Sequence, residues 1–311
     1  MREQKSKPDN IVKALIAGVV ANLIVALTKF VAFLFTGSSA MLAEALHSTA
    51  DSTNQALLAL GMKRANRPAT VDHPFGFGKE RYFWAFIVAL MVFLLGGAFA
   101  IYEGVHKLGA PEPVGNPLWN YIALSIAMVV EGYALRVAWI EFQHWREENP
   151  GPLFDSLRHT KDPTLPTVLF EDSAALIGLL VATIGITLSV LTNDPQWDAI
   201  ASIAIGVVLL GVAAFLAIES HSLLLGESAS ARDIASIREA ALAHKCVEAI
   251  NELLTIHRGP NEIQVSMRAQ FIDELTTDAI EETVLEIEDA IRAVLPAAKH
   301  IFIEPGAIRK P

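Results

Sequence analysis

In the apolar stretch ALHSTADSTNQALLAL, His47 and Asp51 stand four residues apart. On a helix that spacing stacks an imidazole and a carboxylate on one face, one turn apart, with Asn54 on nearly the same face. A nitrogen and an oxygen so placed can take two corners of a divalent metal's coordination shell, and the ion offsets the cost of desolvating the carboxylate. A second apolar stretch, LPTVLFEDSAALIGLL, carries Glu171 and Asp172 with no basic residue nearby in sequence. Helical neighbours point about 100° apart. One of the two acids therefore faces the centre marked by His47 and Asp51, with Asp172 the preferred ligand and Glu171 the weaker candidate. The simpler alternatives are a His–Asp hydrogen bond that packs two helices and a Glu171 that caps or snorkels at the membrane interface.

Three further places could do chemistry. Glu131, in AMVVEGYALRVAW, is a proton-relay group or the acid of an interhelical bond, with Arg136 a turn and a half away. Asp72 and His73, in VDHPFGFGKERYFW, are adjacent metal-type ligands, but Pro74, Gly76 and Gly78 make an ordered turn the first expectation. Lys29 is expected to snorkel, and His257 and His300 to be ordinary surface or strand residues.

The elements that must position these residues follow from composition. The chain has 311 residues, 52% hydrophobic and 19% charged, which describes an integral membrane protein better than a soluble enzyme. A bilayer core of about 30 Å takes roughly 20 apolar helical residues. Six stretches qualify, near 11–36, 38–62, 83–107, 118–143, 165–192 and 197–223. The first runs past the length of a signal peptide's apolar core and is read as a retained span. A net charge of −10 argues against nucleic acid as a partner. A single cysteine, Cys246, excludes an intrachain disulfide. No HExxH signature supports a metallohydrolase.

Short cytoplasmic loops carry an excess of Lys and Arg. Arg2, Lys5, Lys7, Lys63, Arg64, Arg67, Lys79, Arg81, Arg146, Arg158 and Lys161 flank one side of the spans, and Lys107 is the main basic residue on the other. Both termini are thus expected on the cytoplasmic side, or the matrix side of a mitochondrial membrane. A compact chain without an Arg- and Ser-rich leader points to a bacterial plasma (inner) membrane.

Beyond Gly226 the composition becomes that of a soluble domain. Residues 231–244 have helical spacing, and EIQVSMRAQF alternates apolar and polar residues with a period of two, a half-buried strand. The segment from Val247 to His257 pairs with it through a turn at Arg258–Asn261. A helix from about Thr277 to Leu295 and a strand at His300–Glu304 complete an αββαβ unit. The expected division is a six-helix transmembrane transport domain, 1–226, and a small α+β cytoplasmic domain, 227–311.

Taken in order, Asn22 and Lys29, TGSSAMLAEALHSTAD (Thr36–Asp51) and HPFGFGKER (His73–Arg81), followed by the αββαβ tail, resemble the cation diffusion facilitator family over most of the chain. The resemblance implies a ferredoxin-like tail, a homodimer, and efflux of zinc, or of manganese, iron, cobalt or nickel, in exchange for protons. It implies no enzyme activity and no bound cofactor. It also implies a four-ligand site from the second and fifth helices, matched here by His47, Asp51 and Asp172. The fourth position is Val168, leaving Glu171, Asn54 or water. The LFEDSAA pattern is similar to the branch that includes an animal mitochondrial zinc transporter. In the loop, Phe77 replaces a His of relatives with a metal site there. In the tail, Asn251, Ser266 and Glu304 occupy positions of metal-binding His. Lys79 matches a lysine whose acidic partner position is Leu225, leaving Glu219 or Glu227. The alternative to transport is a membrane metal sensor or scaffold whose core site is structural.

Overall fold

The computed structural model describes residues 8–110, 116–148 and 161–306, with side chains from residue 22 onward apart from 145 and 148. Of the basic residues that orient the chain, Arg2, Lys5, Lys7 and Arg158 lie outside the described residues. Helix α1 runs Pro8–Thr36 and α2 Ser39–Ala65. A continuous helix over Glu80–Gly109 consists of α3 (Glu80–Met91), a π-helical segment (Val92–Ala98) and α4 (Phe99–Gly109). Then come α5 (Leu118–Glu148), α6 (Thr164–Thr192) and α7 (Gln196–Leu225). The described residues fall into two compact units, one of residues up to Lys63 with Phe83–Ser220, the other of Arg64–Tyr82 with the residues from His221. The loop between α2 and α3 thus groups with the carboxy-terminal residues.

Among the described residues, four helices are long and apolar enough to cross a membrane: Glu80–Gly109, Leu118–His144, Thr164–Thr192 and Gln196–Leu225. Six apolar stretches in the sequence imply six spans. In α1 the apolar run described is the shorter Asn22–Thr36. Helix α2 is long enough, but Glu44, His47, Asp51, Asn54, Lys63 and Arg64 make it polar. Glu44, His47, Asp51 and Asn54 face inward and are buried, as are Ser48 and Ser52, whereas Lys63 is exposed. In the first unit Val25, Met41, Leu124, Leu179, Ile186, Ile205 and Leu209 form the apolar core.

Small residues let the helices approach. A Cβ on Gly206 of α7 would lie 2.7 Å from the Gly97 carbonyl oxygen and 2.9 Å from the Ile101 nitrogen, so only glycine fits this crossing. At one end of the bundle Gly37, at φ +65°, makes the tight link from α1 to α2. There Asp198 of α7 accepts from Ser38 Oγ at 2.6 Å, from the Ser39 backbone N–H at 2.7 Å and from Ser39 Oγ at 3.1 Å. Lys107 of α4 donates to the Gly37 carbonyl and lies 3.9 Å from Asp198.

In the second unit the elements are α8 (Ala231–Leu242), β1 (Val247–Gly259), β2 (Glu262–Phe271), α9 (Thr277–Val294) and β3 (Ala298–Pro305). This is the expected αββαβ order. Ser230 caps α8 by accepting from Asp233 N–H, and Thr276 caps α9 by accepting from Ala279 N–H. The sheet order is β1-β2-β3, with β1 antiparallel and β3 parallel to β2. β1 extends through Arg258 and Gly259, so the hairpin turn is two residues shorter than expected, Pro260–Asn261. Ile263, Val265, Met267 and Ala269 turn one face of β2 into a core shared with Ile237 of α8 and with Ile287 and Ile291 of α9. This is the alternation read from EIQVSMRAQF.

Candidate functional site

Helix α2 presents Glu44, His47, Ser48 and Asp51 as one buried stripe, because positions three, four and seven apart share a helical face. His47 Nδ1 lies 3.5 Å from Asp51 Oδ1, close but without hydrogen-bond geometry. Among the described residues, both ring nitrogens of His47 and Oδ1 of Asp51 are buried without a hydrogen-bond partner. A pair that served only to glue helices would satisfy each other or a neighbouring helix.

Glu171 and Asp172 lie early in α6, whose N-terminus follows Pro163. Glu171 is buried and its Oε1 accepts from Asn54 Nδ2 at 2.8 Å, a direct link between α2 and α6. The interfacial alternative for Glu171 is therefore incorrect: the side chain points into the bundle, where an amide can satisfy it. Asp172 is half-buried, and its Oδ2 is a buried oxygen without a hydrogen-bond partner among the described residues, as is Asn54 Oδ1. Asp51 acts electrostatically on both acids. Val168 packs against the cluster of Leu58, Ala85 and Val88 and contributes no donor atom.

Glu131 of α5 is buried and lies within electrostatic reach of His47 and Asp51, and in turn acts on Asp172. Arg136, its suggested partner, is exposed. Lys29 of α1 does not snorkel. It is fully buried and donates to Glu44 Oε2 and to Ser48 Oγ, both at 2.8 Å. Glu44 itself went unremarked in the sequence, although a carboxylate three residues before His47 on a membrane helix was a legible signal. Among the described residues, no three His, Cys, Asp or Glu side chains already converge as a metal shell. The chemistry on offer is instead a set of mixed nitrogen and oxygen donors on α2 and α6, with several acids around them.

The loop reads as the ordered turn. Thr70 and His73 exchange backbone hydrogen bonds at 3.1 Å, Gly76 N–H donates to the His73 carbonyl, and the His73 ring contacts Phe77 at 4.5 Å between centroids. Phe75 meets the ring of His300 edge-on, and the Arg258 guanidinium lies 4.5 Å from the Phe75 centroid. His257 is buried in β1, its N–H donating to the Glu227 carbonyl. Lys79 Nζ donates to the Leu224 carbonyl at 3.0 Å, and burial together with the nearby Arg258 charge lowers its pKa. Asn251 donates to the Gly306 carbonyl, and Glu304 pairs with Arg268 at 2.9 Å.

Comparison with known proteins places these features in a family. A model described as the cation efflux transmembrane domain matches residues 15–225. The chain is 31% identical over 265 residues to the "Proton-coupled zinc antiporter SLC30A9, mitochondrial" of Xenopus laevis, covering 85% of this chain and 47% of that protein. It is 29% identical over 259 residues to the "Metal tolerance protein C4" of Arabidopsis thaliana, covering 83% of this chain and 57% of the plant protein. With the "Magnetosome protein MamB" of Paramagnetospirillum magneticum it shares 23% identity over 288 residues, 92% of this chain and 91% of the other. The chain spans about half the length of the animal relatives it matches. The chain belongs to the cation efflux family, that of the cation diffusion facilitators, which are transporters rather than enzymes.

Proposed function

We propose that this protein exports a divalent metal cation, zinc in the first instance, in exchange for protons. The metal is bound by His47 and Asp51 of α2 and by Asp172 of α6, with Glu171 as a further ligand. The observation that carries this reading is the set of buried donors without a hydrogen-bond partner among the described residues of the two helices: both nitrogens of His47, one oxygen of Asp51 and one of Asp172. The relatives named zinc antiporters add the metal and the counter-ion. Manganese, iron, cobalt and nickel also suit mixed nitrogen and oxygen donors, so the ion is decided by geometry and supply as well as by affinity.

Coupling follows from competition. A proton and a metal cannot share one imidazole lone pair, so metal entering from the cytoplasmic side displaces a proton from His47. Protonation of the carboxylates on the other side favours release. Six spans, with α1 and α2 completing the four apolar helices, put both termini on the side from which metal is taken. That side is the cytoplasm of a bacterial plasma membrane, or the matrix in an organelle like that of the mitochondrial relatives. The αββαβ unit, read as a ferredoxin-like cytoplasmic domain, joins two copies into a homodimer.

The test is metal uptake by proteoliposomes across zinc, manganese, iron, cobalt and nickel, comparing the wild-type protein with Asp51→Ala and Asp172→Ala. Both variants are expected to keep their helix content and lose flux. Undiminished flux in both would overturn the site. Retained metal binding without flux in the wild-type protein would favour the sensor or scaffold.

A further inference from the structure

Lys29 and Glu44 are both 0% exposed, and they form a salt bridge at 2.8 Å inside an apolar helix bundle. Such a pair is poor value as structural glue. Removing two charges from water costs as much as or more than their attraction returns, and apolar residues of similar volume generally serve stability as well. Its position suggests another use. Lys29 reaches from α1 to bridge Glu44 and Ser48, and Ser48 lies next to His47 and three residues, about 4.5 Å of helix rise, before Asp51. Glu44 and Asp51, seven residues apart, lie on the same face. The second oxygen of Glu44, Oε1, is buried without a hydrogen-bond partner among the described residues and is directed at Gly178 of α6, where a Cβ would collide with it. Both Lys29 and Glu44 act electrostatically on His47 and on Asp51.

We propose that Lys29 is an affinity-setting residue of the transport site: its ammonium, held by Glu44 and Ser48 beside His47 and Asp51, cancels one carboxylate and keeps a divalent cation weakly enough bound to leave. This rests on the site assignment above. Without the ammonium, Glu44 is an extra negative charge two turns from Asp51 on the ligand face. Without the carboxylate, Lys29 is an uncompensated positive charge that repels the ion. One unit charge against a divalent ion across a protein interior is enough for at least about a tenfold change in affinity. The two deletions act in opposite directions.

The test is zinc binding to the full-length protein in detergent, measured by competition with a fluorescent zinc indicator, and zinc flux after reconstitution. Lys29→Met is expected to bind zinc about tenfold more tightly, with apparent KM and maximal flux both reduced because release slows. Glu44→Gln is expected to bind about tenfold more weakly, and the double variant to return to within about threefold of wild type. If Lys29→Met does not fold, Lys29→Gln makes the same charge change with a polar group. Two single variants that shift affinity in the same direction, or leave it unchanged, would overturn the proposal, since a structural bridge weakens alike from either side. Asp51→Ala is the control for the site itself: wild-type affinity in that variant refutes the ligand assignment, whatever Lys29 does.

Discussion

The tie between Asp198 and the start of α2 is open to a quantitative test. Asp198→Ala removes a fully buried carboxylate that accepts three hydrogen bonds, at 2.6, 2.7 and 3.1 Å, from Ser38 and Ser39. One donor is the Ser39 backbone N–H in the first turn of α2, which has no partner within its own helix. The change also strands Lys107, buried at 3.9 Å from the carboxylate. A hydrogen bond to a charged group contributes about 1.5–3 kcal/mol, and removing one partner of a buried ion pair costs about 3–5 kcal/mol. These effects share one group and do not add, so the expected loss is about 3–5 kcal/mol. Equilibrium unfolding by SDS titration in mixed micelles measures it. Adding Lys107→Met should cost less than the sum of the single changes, because the stranded charge is then gone. A loss below about 1 kcal/mol for Asp198→Ala would refute the view that this carboxylate holds the end of the bundle together.

Two other perturbations test the packing and the second unit. Gly206→Ala forces the backbone of the Glu80–Gly109 helix away from α7 and should cost about 1–3 kcal/mol in the same SDS titration; an unchanged midpoint would mean that the crossing is not tight. For Lys79, whose pKa in the folded protein lies below the ordinary lysine value, the unfolded chain binds more protons across the interval between the two values. Stability therefore rises with pH through that interval. Wild-type unfolding followed from about pH 8 to about pH 10 should show a steeper rise than Lys79→Met, and equal slopes would contradict the assignment.

How far the sequence carried the account varied with the physics. The α2 stripe was legible because a helix's geometry fixes which of its own residues share a face, and His47 and Asp51 are buried together as their spacing implied. The αββαβ unit was legible for the same local reason, since alternation in β2 reports one buried face. Which of Glu171 and Asp172 meets α2 depends on the rotation of α6, and that rotation is set by packing against other helices. Hence the weaker candidate is the one bonded to Asn54. Lys29 was expected at the interface because its partner is distant in sequence; only the meeting of α1 with α2 brings it to Glu44. Asp198 gave no sequence signal, because an acid in the first turn of a helix is ordinary there. Its three hydrogen bonds come from residues some 160 positions earlier.

The most direct test of the account is a single record of zinc and pH inside proteoliposomes whose interior starts more acidic than the medium, with zinc equal on both sides. An exchanger built on His47, Asp51 and Asp172 raises internal zinc above external zinc while the interior loses protons in step, and Asp51→Ala abolishes both signals. Zinc that stays at equality in the wild-type protein, or that moves only down its own gradient with no change in internal pH, would contradict metal–proton exchange at this site.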